Sequence, residues 1–283
     1  MSVQSWRGLT AVMLGLCALG LASCASPAAA PLSSPSPSVQ RPKDLLTTRG
    51  AVTVVDKGDG AELCLSGVLD SLPPQCTGPV LVGWDWSELE GDFDEASGVR
   101  WGDFLVTGTY DATSGTITPY EVTRGRDVDP PTGTFRGFDT PCPEPAGGWK
   151  NADAAMSGSA SMDAAFALAE TLDGYASSWI EPSTGIVNVR VDADPALAEA
   201  ALREVWGGKL CVTRADWTAA GLASVRDEIR SQADGKYYGV NSNLLEGRVD
   251  VDVLHDDGTL QARYDAEYGA GVVQVNSSLV PAE

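Results

Sequence analysis

The sequence predicts a β plus α+β fold, in which a small N-terminal β-barrel, OB-like in closure, precedes a duplicated α-β-β-α-β domain. Three observations carry this expectation. Residues 49–125 alternate apolar and polar side chains in short runs broken by Gly, Pro, Asp and Ser. Residues 161–283 hold a strand motif twice, Gly185-Ile-Val-Asn-Val-Arg-Val191 and Gly247-Arg-Val-Asp-Val-Asp-Val253, 62 positions apart. Residues 126–160, rich in Pro, Gly and acids, read as a linker between the two parts. The folded portion, about 230 residues, exceeds the usual ~100–150 of one domain.

Residues 1–23 read as a secretory signal peptide. Arg7 supplies its positive charge, and Leu9 to Leu21 form an apolar stretch too short for a stable spanning helix. Leu21-Ala-Ser-Cys24 then places a cysteine directly after small residues. That tetrapeptide resembles the lipobox of bacterial lipoproteins. The resemblance implies cleavage before Cys24, diacylglycerol on its thiol and acylation, such as palmitate, on its amine. The chain would then sit on the outer face of the cell membrane, moored by lipid. Residues 24–48 read as the lipidated, flexible tether, because their Ala, Pro and Ser cannot bury enough apolar surface to offset ordering entropy.

Loss of Arg7 with the signal leaves 18 of the 19 basic residues against 39 acids, a net charge of −21. Such a surface repels nucleic-acid phosphates and anionic headgroups, so nucleic acid is excluded as a partner and the membrane is reached through Cys24 alone.

Within 49–125, the segments Ala51–Val55, Leu63–Gly67, Val80–Trp84, Phe104–Gly108 and Thr116–Tyr120 read as strands, and Asp111–Gly115 as the hairpin loop joining the last two. Closure into a barrel would remove their exposed edges. Trp84 and Trp86 fall on one face of a strand and Trp101 begins another. These rings read as barrel core, with a ligand-binding aromatic platform at the barrel mouth as the sharper alternative.

Cys17 leaves with the signal and Cys24 takes lipid, so Cys64, Cys76, Cys142 and Cys211 remain, and four cysteines allow three pairings. Cys64 and Cys76 bracket the turn-rich Leu-Pro-Pro-Gln, which favours their pairing; Cys142 and Cys211 follow by subtraction and would staple the linker to the C-terminal domain. Zinc is disfavoured by the lack of a CxxC pair and by a single histidine, His255. Phe135, Phe138 and Trp149 suggest that the linker packs against the body.

The two copies span about 162–213 and 216–276. Carrying the 62-residue offset forward pairs Asp194 with Asp256, Trp206 with Tyr268, Gly207 with Gly269 and Leu210 with Val272. Helices at Asp163–Leu172 and Trp217–Gln232 precede the strands, the second with Asp216 as its N-cap and Leu222, Val225 and Ile229 as its apolar stripe. Asp173-Gly174 and Asp234-Gly235 turn from each helix into a strand. Each unit should form a three-stranded sheet with two helices on one face, leaving the other face open for docking.

Residues Trp179–Val191, the following helix and Tyr268-Gly269 resemble the pro-regions of streptogrisin and α-lytic-type bacterial serine proteases, over residues 162–276. That resemblance implies a recurring α-β-β-α-β unit and, as an alternative function, a protease inhibitor or folding helper. Glu62-Leu-Cys-Leu65, Pro73-Pro-Gln-Cys76 and Arg100-Trp-Gly102 are similar to uncharacterised lipoproteins of high-GC Gram-positive bacteria, which implies lineage and no activity.

Catalytic patterns are sparse. A Ser-His-Asp triad would have to use His255, which follows a strand and precedes Asp256-Asp257, and no Gly-x-Ser-x-Gly elbow is present. Asp92, Asp94 and Glu95 form an acidic loop that reads as solvated. Together with Asp127 and Asp129 they offer oxygens for calcium, but without EF-hand spacing, so no metal or cofactor is expected. The sequence reading is a non-enzymatic, membrane-anchored binding or scaffold module that recruits an envelope protein.

Overall fold

The structure, a computed structural model, describes residues 42–129, 138–233 and 237–282. The signal segment, Cys24, the tether as far as Arg41, Phe135 and the Asp234-Gly235 pair lie outside them. The fold is mixed and sheet-rich. The first sheet contains β1 (Leu46–Thr48), β2 (Val52–Asp56), β3 (Ala61–Leu63), β4 (Asp94–Ala96), β5 (Val99–Asp111) and β6 (Thr116–Arg124). β5 is its hub: thirteen residues long, it pairs antiparallel with β1, β2, β4 and β6 along its length.

Three of the expected strands coincide with β2, β5 and β6, and Gly115 N–H closes the β5–β6 hairpin on the Asp111 carbonyl. Leu63–Gly67 contributes only the end of β3. Val80–Trp84 forms isolated bridges to Glu62 and Ile117 rather than a strand, because Gly83 turns the chain at φ +81°. Asp85 then caps a short 3₁₀ helix, Trp86–Leu89. Among the described residues the sheet does not close into a barrel. The path of its named strands runs from a strand at the C-terminus, β13 (Leu279–Pro281), through β1, β5 and β2 to β3, whose outer edge is linked only by the isolated bridges of Val80 and Leu81 to Ile117 of β6.

That path also revises the boundaries. β1 falls inside the segment assigned to the tether, and β13 inside the segment assigned to the C-terminal domain. They pair antiparallel, Leu46 opposite Pro281 and Thr48 opposite Leu279. Leu279 is buried in the first sheet's core with Val54, Leu63, Trp86, Phe104, Val106 and Ile117. Apolar Leu45 and Leu46 and β-branched Thr47 and Thr48 suit a strand, so the first sheet begins before residue 49.

The remaining elements are α1 (Ser159–Ala169), β7 (Tyr175–Ile180), β8 (Val187–Val191), α2 (Pro195–Arg203), β9 (Leu210–Arg214), α3 (Ala219–Gln232), β10 (Tyr237–Asn243), β11 (Arg248–Val253), α4 (Thr259–Tyr268) and β12 (Val273–Ser277). They make two three-stranded sheets, β7-β8-β9 and β10-β11-β12, each with its first pair antiparallel and its second parallel. Each antiparallel pair bulges at the same place, between Tyr175 and Ser177 and between Tyr237 and Gly239. Val187, Val189 and Val191 bury one face of the first sheet, and Val249, Val251 and Val253 one face of the second. The last strands break the constant offset: Val187 sits opposite Leu210, but Val249 sits opposite Val273, one residue later.

The caps differ in part from expectation. Asp194 and Asp256 both accept from helix N-terminal amides, of Ala196 and of Leu260 and Gln261. α3, however, is capped by Thr218, whose Oγ1 accepts from Gly221 N–H, rather than by Asp216. Gly269 ends α4 at φ +98°, whereas Gly207 serves a close approach: a Cβ there would lie 2.3 Å from the Asp153 carbonyl oxygen.

The linker covers the face of β7–β9 that was expected to be open. Trp179 Nε1–H donates to the Phe138 carbonyl over 3.1 Å, Thr140 Oγ1–H donates to Asn188 Oδ1, and Cys142 is bonded to Cys211 on β9. Asn188, fully buried by this cover, completes its bonding through Nδ2 to the Ile186 carbonyl. The equivalent face of β10–β12 is polar, carrying Asn241, Asn243, Asp250, Asp252 and Asn276, with Asn243 and Arg248 donating to Asp250. Cys64 and Cys76 form the second disulfide.

The bridges close loops of unequal length, with sequence separations of 69 for Cys142–Cys211 and 12 for Cys64–Cys76. Chain-entropy reasoning then predicts that the Cys142→Ala/Cys211→Ala pair loses about 4 kcal/mol and the Cys64→Ala/Cys76→Ala pair about 3 kcal/mol. Urea unfolding of both double variants measures the difference; the reverse order contradicts this reading.

Candidate functional site

The three tryptophans do not form one platform. Trp86 is buried, and its Nε1–H donates to Asp56 Oδ2 over 2.9 Å. Trp84 packs edge-on against Trp86 and Phe104, with centroids 5.5 and 5.2 Å apart. Both belong to the first sheet's core, on the face of β5 that carries Phe104. Trp101 is opposite Val55 and so projects from the other face, where it lines a cavity of about 760 Å³. The core reading describes Trp84 and Trp86; Trp101 alone of the three faces that cavity.

This cavity also holds the acidic loop, with an unexpected balance of charge. Asp92 is not a solvated carboxylate. Its side chain is 3% exposed and is ion-paired with Arg124 at 2.6 Å and with Arg126. Arg124 ends β6, and Arg126 lies in the 3₁₀ turn after it, so the hairpin returns both guanidiniums to a loop more than thirty residues earlier. Glu95 pairs with Arg100 across the β4–β5 hairpin at 2.9 Å. Paired carboxylates of this kind make poor calcium ligands, since each arginine must first be displaced. Among the described residues there is no group of three or more His, Cys, Asp or Glu side chains able to hold a metal.

A second cavity of about 760 Å³ lies where the first sheet meets the β10–β12 unit. Tyr110 reaches it from the end of β5, Tyr237 and Tyr238 from β10, His255 from the turn after β11, and Leu260 and Arg263 from α4. Tyr110 and His255 meet edge to face, with centroids 6.4 Å apart and planes at 75°. Burial raises the phenol pKa of Tyr110, with Asp111 adding to the effect, and that of Tyr238, with Tyr110 adding, so both rings keep their protons. Tyr237 and Tyr264 share a hydroxyl–hydroxyl bond of 2.9 Å behind the cavity wall.

His255 is fixed by its neighbours. Nδ1 lies 3.0 Å from the Leu279 carbonyl, an acceptor only, so in the neutral ring the proton sits on Nδ1 and Nε2 is an acceptor. The two carboxylates that follow it in sequence are committed to α4: Asp256 to the amides of Leu260 and Gln261, Asp257 to Thr259. The imidazole is therefore oriented by a main-chain carbonyl rather than by an acid.

The chain matches no family model, no curated protein and no solved structure. The sites are accordingly read from their own geometry. Sequence reasoning missed Arg124 and Arg126, and it missed the tyrosines around His255, because each set converges from distant elements. Among the described residues no helix is long and apolar enough to cross a membrane.

Asp92 carries the balance of the first cavity. Replacing it by Ala leaves two guanidiniums facing each other, but they are 44% and 59% exposed and rehydrate, which reduces the loss from the ~3–5 kcal/mol of a fully buried pair. Asp92→Ala is expected to lose about 2 kcal/mol in urea unfolding and Arg126→Ala less than about 1 kcal/mol, since Arg124 remains. Equal losses would contradict the shared clamp.

Proposed function

We propose that the protein is a membrane-anchored extracytoplasmic lipoprotein that acts as a binding module and performs no catalysis of its own. The observation that carries the binding reading is the junction cavity: a concavity of ligand size, walled by tyrosines and an imidazole, in which the histidine is held by a carbonyl and the neighbouring acids are spent on capping a helix. A nucleophilic mechanism needs a hydroxyl or thiol in hydrogen-bond reach of the base, and among the described residues the His255 ring is bonded to the Leu279 carbonyl and to no such group. The anchoring half of the reading rests on Leu21-Ala-Ser-Cys24, with Pro42 following after a short Ala/Pro/Ser tether.

The matched strand order, pairing sense and bulge position of the two sheets support a further element of this reading, that residues 162–276 arose by duplication of one α-β-β-α-β unit. The same match favours a second functional reading, a protease inhibitor or folding helper of the kind the pro-region resemblance implies.

Fractionation and capture test these readings together. Cys24→Ala is expected to move the protein from the membrane fraction to the medium, and residues 43–283 as bait to retain an envelope component. A wild-type chain with an unmodified N-terminus by mass spectrometry contradicts the anchor. Inhibition of a secreted trypsin-like protease at micromolar concentration would select the second reading.

A further inference from the structure

The junction cavity differs in charge from the rest of the chain. It is lined by fourteen residues, none of them acidic, in a protein with 39 acids and a net charge of −20. Its ionisable groups are His255, Arg263 and three tyrosines, Tyr110, Tyr237 and Tyr238. An anion entering here meets no lining carboxylate and one guanidinium, with Asp111 beside Tyr110 and Asp257 beside His255 as the nearest opposing charges.

Arg263 lines the cavity and already shares its charge with Glu267, so a ligand carboxylate would have to compete with that pair. The Arg263 Nε lies 3.6 Å from Glu267, one Nη donates to Gln232 over 2.9 Å, and its guanidinium lies over the Tyr264 ring at 5.5 Å. These partners fix the plane of the group, yet a guanidinium has five N–H donors and this side chain is 52% exposed, so donors remain for a carboxylate. The Tyr110 and His255 rings stand perpendicular and form a corner of aromatic surface. His255, bonded through Nδ1, leaves Nε2 for a ligand, and the tyrosine hydroxyls both donate and accept.

A flat apolar ligand would satisfy the rings and leave the polar atoms unused; a simple inorganic anion would do the reverse. A saccharide uses both, since its C–H face packs on aromatic rings while its hydroxyls exchange hydrogen bonds at the rim. We propose that this cavity binds an acidic saccharide, with the tyrosine and imidazole rings against the sugar face and Arg263 paired with its carboxylate. The inference rests on the binding-module reading and names the ligand class of that module.

Titration of the full chain with glucuronate, glucose and acetate, followed by amide NMR, tests it. Glucuronate is expected to saturate near 1 mM, glucose to bind at least about fivefold more weakly, and acetate not to saturate. The shifting amides should be those of Tyr110, Tyr238, His255 and Arg263, which needs no variant to fold. Arg263→Gln should bring glucuronate down to the affinity of glucose and leave glucose unchanged, and Tyr238→Ala should weaken both about tenfold while Tyr238→Phe keeps most of the affinity. Absence of saturation, shifts confined to other surfaces, or a glucuronate preference that survives Arg263→Gln overturns the proposal. Failure here alongside capture of an envelope protein would leave the module reading standing.

Discussion

Six residues join the two ends of the described chain. Leu46–Thr48 and Leu279–Pro281, at opposite ends of the described chain, pair antiparallel, and β1 then pairs with the hub strand β5. Two contacts reinforce the closure, Ala282 N–H to the Leu45 carbonyl and Arg49 Nε–H to the Ser277 carbonyl, while Leu279 N–H donates to the Leu254 carbonyl and ties β13 to the end of β11. Leu279 is 1% exposed among core residues contributed by the N-terminal half. Because β13 follows β12 directly, this pairing also sets the β10–β12 unit against the first sheet. The junction cavity is a consequence of that placement, and His255 is oriented by the carbonyl of Leu279 itself. A seam that shapes the backbone thus also positions the one imidazole in the protein.

The two α-β-β-α-β units meet different fates. In the first, the linker lies across the open sheet face and is fixed there covalently by Cys142–Cys211 and through hydrogen bonds to Asn188 and Trp179. Arg190, on that face, reaches the β10–β11 turn by donating to the Leu245 carbonyl over 3.0 Å. In the second, the corresponding face bears Asp250 and Asp252 beside amides and bonds within itself. Burial of Asn188 requires a partner for its amide, which the linker threonine provides; Asp250 takes its partners from Asn243 and Arg248 on its own sheet.

Local patterns were legible where they are long. The Val-x-Val strands at 187–191 and 249–253 and the stripe of Leu222, Val225 and Ile229 read directly, because one buried face imposes a period on at least five residues. The cysteine pairing was legible because only four thiols remained and one pair bracketed a turn. β1 and β13 were not legible: three-residue strands show no period, and their pairing spans most of the chain. Trp84 and Trp86 look like neighbours on a strand, yet Gly83 and the Asp85 cap turn the chain into a 3₁₀ helix that begins at Trp86, with Trp86 buried in the core and Trp84 packed against it. Asp92 looks solvated in sequence because its arginines arrive on the far side of a hairpin. What composition fails to show in each case is a long-range neighbour.

The seam is the claim on which the cavity and the orientation of His255 depend. Native-state hydrogen exchange tests it directly, through the amide of Ala282, which donates across the seam to the Leu45 carbonyl. If the termini close the fold, this proton exchanges only with global unfolding, at the same free energy as the amides of Phe104 and Val106 in the hub strand. Exchange of Ala282 by local fraying, several kcal/mol more easily than the hub, would mean that the two halves fold separately and that the junction is incidental.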